Sequence, residues 1–164
     1  MAEKSAGLLV YRLRESGPEF LLAHPGGPFW KNRDEGAWSI PKGVIGEGEE
    51  NHAAALREFE EETGQRVSGD FIELTPLKQK SGKIVYCWLV EADLDLATFR
   101  SNHFEMEWPR RSGRIRAFPE IDRVAWFGPE DALRKILPGQ AGFIREASAR
   151  ISSSAHPGES RDPS

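Results

Sequence analysis

Two largely apolar segments, residues 7–13 and 19–23, flank the tetrapeptide Glu15-Ser16-Gly17-Pro18. That pattern predicts a pair of buried strands joined by a turn. Pro25-Gly26-Gly27-Pro28-Phe29-Trp30 then leads into charged sequence as far as Gly36, which reads as a long loop. A short strand is predicted at residues 38–40, delivering Pro41-Lys42-Gly43 to an acidic segment. From about residue 50 to 63, Ala55, Leu56, Phe59 and Thr63 fall on one side of a predicted helix. Strands are predicted at 71–74 and 84–91, the second carrying the unbroken run Tyr86-Cys87-Trp88-Leu89-Val90. Between them Lys78, Lys80 and Lys83 surround Ser81-Gly82, as loop lysines or phosphate contacts. Residues 104–108 are a candidate strand, 110–116 a basic loop, and 124–127 a further strand. Gly128-Pro129 opens a helix over 129–136, and another is expected over 140–150. Residues 1–150 are expected to form one domain, and 151–164, with little to bury, a disordered tail. This order of elements supports an α/β or α+β class.

Charge changes the picture most in the helix at 50–63. At about 100° per residue, Glu61, Glu58 and Glu62 share an arc of roughly 100° beside the apolar face. Like charges three and four residues apart repel by a few tenths of a kcal/mol per pair, so a bound cation would turn this face into a site. Grouped hard oxygens suit Mg²⁺ or Mn²⁺, the alternative being a solvated acidic face. Arg57 precedes Glu61 by four residues and is placed to hold its carboxylate. Gly64 fits the left-handed residue that closes a helix.

Gly43, five residues, Glu49, seven residues, Arg57-Glu58-Phe59, one residue, Glu61-Glu62, one residue and Gly64 resembles the Nudix box of the nucleoside-diphosphate-linked-moiety hydrolases. Gln65 stands where that pattern carries a bulky aliphatic residue. The resemblance implies an α/β/α sandwich with a central mixed sheet. It also implies a hydrolase that uses divalent ions held by Glu58, Glu61 and Glu62, with the Gly43 carbonyl as a further ligand and Glu49 as a loop support or water-mediated ligand. A general base is needed as well, supplied by a box glutamate or a distant loop. Dinucleoside polyphosphate hydrolases carry an extra glutamate shortly before a strand ending in Trp, and Glu120 occupies the similar place here, as ligand or base. Glu105 and Glu107 are alternatives. Pro41-Lys42-Gly43 resembles the lead-in of diadenosine polyphosphate hydrolases, which makes Lys42 a candidate phosphate contact.

For the rest of a nucleotide, Trp30, Phe29 and Trp108 fall in predicted loops or strand ends where a base can stack, whereas Trp88 and Trp126 read as core. Arg114, with Arg110, Arg111 and Arg116, is a candidate clamp on a further phosphate. The tyrosine that marks many dinucleoside polyphosphate hydrolases is not clearly matched, since Tyr86 comes late. Three functions therefore stay open: a dinucleoside polyphosphate hydrolase, a nucleoside triphosphate pyrophosphohydrolase, and a non-catalytic nucleotide-sensing module.

The chain has 164 residues, 38% of them hydrophobic and 29% charged, which suits one domain with a full core. Its single cysteine, Cys87, excludes an intrachain disulfide and reads as a core residue in a reducing compartment. The N-terminus shows no basic stretch followed by a long apolar run, so no membrane association and a cytoplasmic location are expected. A net charge of −4 argues against a stable nucleic-acid complex. The expected partner is a small nucleotide or dinucleotide polyphosphate, bound by a monomer or homodimer.

Overall fold

Strands Lys4–Arg14 (β1) and Gly17–Pro25 (β2) pair antiparallel, with Tyr11 opposite Phe20, across a turn at Glu15-Ser16. In this computed structural model, which describes residues 3–160, they form the centre of a mixed sheet. β1 runs parallel to Ile84–Glu91 (β6) and antiparallel to Lys42–Val44 (β3), and β2 pairs antiparallel with Ile121–Phe127 (β9). Ile72–Glu73 (β4) and Leu77–Lys78 (β5) line the far side of β6.

The central strands are apolar on both sides because both sides are covered. One face sets Leu9, Phe20, Leu22, Cys87 and Leu89 against Ala132 of helix Pro129–Lys135 (α2) and against Phe143, Ile144 and Ala147 of helix Ala141–Ser160 (α3). On the other, Leu8, Val10, Trp88 and Val90 pack on Ala54, Ala55 and Phe59 of helix Asn51–Thr63 (α1). The result is the expected α/β/α sandwich. Phe59 is 1% exposed, so its burial alone contributes about 2–3 kcal/mol and fixes how α1 rolls on the sheet. That roll decides which glutamates look inward. α1 ends at Gly64, with φ 76° and an N–H bonded to the Glu60 carbonyl at 2.8 Å, as the glycine's position suggested.

Four local expectations are revised. Residues 110–116 are only in part a loop, because Ile115–Pro119 (β8) pairs with His103–Glu107 (β7) in a separate two-stranded hairpin. Ile115 in β8 is 64% exposed and stands between Arg114 and Arg116, so no buried face announces the strand. Trp38 and Ser39 make isolated bridges to Ile136 and Ala23 in place of a strand. Lys42–Val44, read as part of a loop, is strand β3. Helix α3 continues past 150 to Ser160, with Ile151 buried at 7% exposure, so the expected domain boundary falls inside a helix. The end of the expected tail, residues 161–164, lies outside the described residues. Among the described residues, no helix is long and apolar enough to cross a membrane.

Candidate functional site

The acidic loop between β3 and α1 is tied to the helix by one side chain. Arg57 donates from Nε and Nη2 to the two Glu49 oxygens at 2.7 and 2.9 Å, and from Nη1 to Glu58 at 2.9 Å and Glu61 at 3.2 Å. Its Nη2 also reaches the Val44 carbonyl at 3.3 Å. Glu49 in turn accepts the Gly46 N–H at 2.9 Å. The Arg57 fork and that N–H hold the Glu49 carboxyl at a pKa of about 2, while Glu49, ahead of Glu61 and Glu58, raises that of Arg57.

The three helix glutamates end up in different surroundings. Glu58 is 14% exposed, and its carboxylate lies flat against the backbone of Gly43. A Cβ at position 43 would sit 1.9 Å from Glu58 Oε1, so the carboxylate can hold this position only while residue 43 is glycine. Glu61 is 46% exposed and turned to Arg57. Glu62 points into the protein, beside Lys42 and toward Glu120. Burial first, then the charges of Glu58 and Glu120, push its carboxyl up to about 8, although Lys42 pulls the other way. Glu58 is raised as well, first by burial and then, against the pull of Arg57, by Glu61 and Glu120.

Glu120 sits in the turn between β8 and β9, where its carbonyl accepts the Gly26 N–H at 2.9 Å. It shares with Glu62 and Lys42 a cavity of about 420 Å³ that is also lined by Trp30, Phe104 and Ile40. The Lys42 ammonium is depressed by burial and then by the neighbouring charge of Lys83. Arg57 and Lys42 do not balance Glu49, Glu58, Glu61, Glu62 and Glu120, so the cluster is net anionic with its most buried members facing one another. Hard oxygens with uncompensated charge fit a divalent cation. Among the described residues, no three acidic, histidine or cysteine side chains are already gathered around one point. Glu61 in particular would have to turn from Arg57 to join Glu62.

A family model of the NUDIX domain matches residues 3–147. The chain belongs to the Nudix family. Among curated Nudix proteins, Nudix hydrolase 7 of Arabidopsis thaliana is 32% identical over 111 residues, covering 63% of this chain and 37% of that protein. The chain thus spans little more than a third of that relative's length. Among solved structures, a Caenorhabditis elegans Ap4A hydrolase binary complex superposes with a TM-score of 0.64 at 24% identity, over 93% of this chain and 99% of that one. The NUDIX domain of Shewanella oneidensis NrtR, complexed with ADP ribose, gives 0.63 at 17% identity over 92% and 89%. These likenesses establish the Nudix fold.

Within the Nudix fold, Lys42, Trp30, Glu62 and Glu120 come together at the cavity, and Glu58 adjoins them through its charge. Arg114 does not join them. Its backbone closes the hairpin loop through Trp108 N–H at 2.9 Å, and Arg116 is the arginine that lines a neighbouring cavity. Glu105 and Glu107 alternate with Phe104 along β7, which puts them on the strand face away from the cavity, and Glu107 accepts the Gly113 N–H at 2.7 Å. Cys87 is fully buried, with its thiol pKa pushed up by that burial, which suits a core residue. Two residues escaped the sequence reading. Phe104 forms a cavity wall, but its strand gave no sign of which side would be covered. His24, 0% exposed, bridges Asp122 at 2.8 Å and the Arg33 carbonyl at 2.6 Å, pinning the 26–37 loop to β9. A lone histidine inside an apolar strand was the available signal.

Proposed function

We propose that the protein hydrolyses a phosphoanhydride bond in a nucleoside-diphosphate-linked substrate, preferring dinucleoside polyphosphates, with Mg²⁺ or Mn²⁺. The observation that carries this reading is the meeting of Glu62 and Glu120, with Glu58 adjoining through its charge, at a cavity that also presents a half-buried lysine and two aromatic rings. Phosphates need cations, a base needs an apolar face, and both needs are met within one space. The ion would be held by Glu58, Glu61, Glu62 and Glu120 with the Gly43 carbonyl. It supplies neutralisation of the non-bridging oxygens and acidification of the attacking water.

The chain's own groups do the rest. Arg57 orients Glu58 and Glu61 through one guanidinium nitrogen and locks the loop through Glu49. Lys42 Nζ pairs with a phosphate oxygen, its charge undiluted by bulk water. Trp30 and Phe104 flank the nucleoside. A proton leaves the attacking water for the carboxylate of Glu120 or of a box glutamate as the oxygen bonds phosphorus, and the bridging oxygen departs with its electron pair on the leaving phosphate. The likeness to an Ap4A hydrolase and to an ADP-ribose complex supports a substrate with a nucleoside diphosphate core. The complete set Glu58, Glu61 and Glu62 favours catalysis over a purely sensing role.

Product analysis with Mg²⁺, Mn²⁺ and EDTA tests the proposal. Diadenosine tetraphosphate should yield AMP and ATP only when a divalent ion is present, and Glu61→Gln should lower turnover by at least about 10²-fold. Preferential conversion of nucleoside triphosphates to monophosphate and pyrophosphate would replace this reading with nucleotide-pool sanitation. No divalent-dependent hydrolysis of either would refute it.

A further inference from the structure

Beside the carboxylate-lined cavity lies a second one of about 430 Å³, between the loop after β2 and the β7–β8 hairpin. Its walls include Lys31, Trp108, Arg116, Phe118 and Asp122. That volume falls in the roughly 300–1,000 Å³ range of small-molecule sites. Its chemistry differs from that of its neighbour. Lys31 and Arg116 form no ion pair among the described residues, whereas Asp122 is already engaged by His24 at 2.8 Å. Free positive charge at this place stands out in a chain whose net charge is −4.

The aromatic side is equally open. Phe29 is 50% exposed, meets Trp108 edge-on at 5.5 Å between ring centres, and has the Arg110 guanidinium 5.6 Å above its ring. Aromatic faces next to cations are what a nucleobase with an attached phosphate requires. The loop that carries Phe29 and Lys31 is held before any ligand arrives. His24 binds the Arg33 carbonyl, and the Trp38 indole N–H donates to Asp34 at 2.8 Å.

The two cavities share a single seam. Gly26 lines the first and Gly27 the second, Glu120 the first and Pro119 the second. The Gly26 N–H to Glu120 carbonyl bond at 2.9 Å stitches the two backbones, and Phe104 on one side faces Phe118 on the other at 6.0 Å. On the loop side the boundary is Gly26-Gly27, which carries no side chain to block a chain of phosphates from passing over.

We propose that the cavity between the Gly27–Lys31 loop and the β7–β8 hairpin is a second nucleotide subsite, in which Lys31 and Arg116 bind the distal phosphates and Trp108 the distal base. This rests on the hydrolase reading for its purpose, since a second nucleoside end is what distinguishes a dinucleoside polyphosphate from shorter nucleotides. Its binding chemistry does not depend on hydrolysis.

Two measurements on the full chain separate the readings. In EDTA, ADP binding is followed by titration calorimetry for wild type, Arg116→Gln, Trp108→Ala and Trp108→Phe. With Mg²⁺, kcat and KM for diadenosine tetraphosphate are measured for the same set. Arg116→Gln and Trp108→Ala are expected to weaken ADP binding at least about 5-fold and to raise KM at least about 10-fold, with the larger change in KM than in kcat, and Trp108→Phe to restore most of both, because stacking survives in the smaller ring. Arg116 is an exposed strand residue, so its variant remains informative if Trp108→Ala fails to fold. Hydrolysis that proceeds while ADP affinity or KM is indifferent to both substitutions overturns the subsite and leaves the hydrolase reading standing. Loss of ADP affinity in Arg116→Gln, in a protein that hydrolyses nothing, upholds the subsite while the hydrolase reading fails.

Discussion

Gly43→Ala isolates a single steric contact at the centre of the site. The backbone at 43 is not in the positive-φ region, so alanine is conformationally permitted and β3 keeps its pairing with β1 opposite Ala6. The added Cβ would lie 1.9 Å from Glu58 Oε1, 2.0 Å from Cδ and 2.5 Å from Oε2. Every one of those atoms is at the free end of a flexible side chain, so Glu58 swings away and the backbone stays. The stability lost is then the Arg57 Nη1 to Glu58 bond at 2.9 Å, on a guanidinium that is 38% exposed and keeps its bonds to Glu49. Screening limits that loss to about 1 kcal/mol, or roughly 2–4 °C in Tm for a domain of this size.

Activity should behave very differently. In the proposed mechanism Glu58 is one holder of the divalent ion, so displacing it should lower turnover at least about 10²-fold, as should Glu58→Ala. The Gly43 carbonyl remains in place, which separates the effect of the new methyl group from the loss of a backbone ligand. In Gly43→Ala/Glu58→Ala the clash has no partner, and the double variant should match Glu58→Ala alone within about 2-fold. Nucleotide release by chromatography and thermal melts of the four proteins complete the cycle. Wild-type turnover in Gly43→Ala, or losses that multiply in the double variant, would refute this account of the glycine.

Glu62 predicts a pH dependence in metal-free protein. Its folded pKa, raised to about 8 from 4.5, means the folded state holds a proton that the unfolded state releases, so stability should fall as pH rises from about 5 through 8. The penalty above pH 8 is on the order of 5 kcal/mol, at ~1.4 kcal/mol per unit, and Glu62→Gln should flatten the profile of Tm against pH in EDTA. An unchanged slope would contradict the buried placement. Arg57→Lys should lose about 1–2 kcal/mol in urea unfolding and at least about 10-fold in turnover, because one ammonium cannot bridge Glu49, Glu58 and Glu61 together. Phe143→Ala, at a fully buried ring between α3 and the sheet, should lower unfolding free energy by about 3–5 kcal/mol, and a loss under 1 kcal/mol would mean that α3 is not docked as described.

The parts of the fold that were legible in the sequence are those with two buried faces or a strict helical stripe. β6 is legible over 84–91, as found, because both of its sides face helices and every position up to Val90 is apolar. The start of α2 was marked by Gly128-Pro129. Segments that answer to partners were not legible. β3 is three residues long and exists because β1 offers an edge, and β8 exists because β7 does. In the site, spacing brought out Arg57 and its glutamates, since α1 enforces their angles. Which of the four arginines at 110–116 would line a cavity was not legible for a similar reason, because in a hairpin the side a residue faces is decided by register and loop closure.

Glu61 and Glu62 are consecutive, yet one turns outward to Arg57 and the other inward to Lys42. The cause is one step of rotation on a helix whose roll is fixed by Phe59. Glu62 is thereby left in a low-dielectric place where it keeps a proton unless a cation replaces it, while Glu61 lies near water and within reach of the same guanidinium as Glu58. Cation arrival should therefore expel the Glu62 proton and draw Glu61 inward, linking occupancy to the geometry of Arg57. A box with both glutamates exposed would bind ions without that coupling, and one with both buried would resist charging altogether. The packing of one phenylalanine thus decides which of the two glutamates faces water and which faces Lys42.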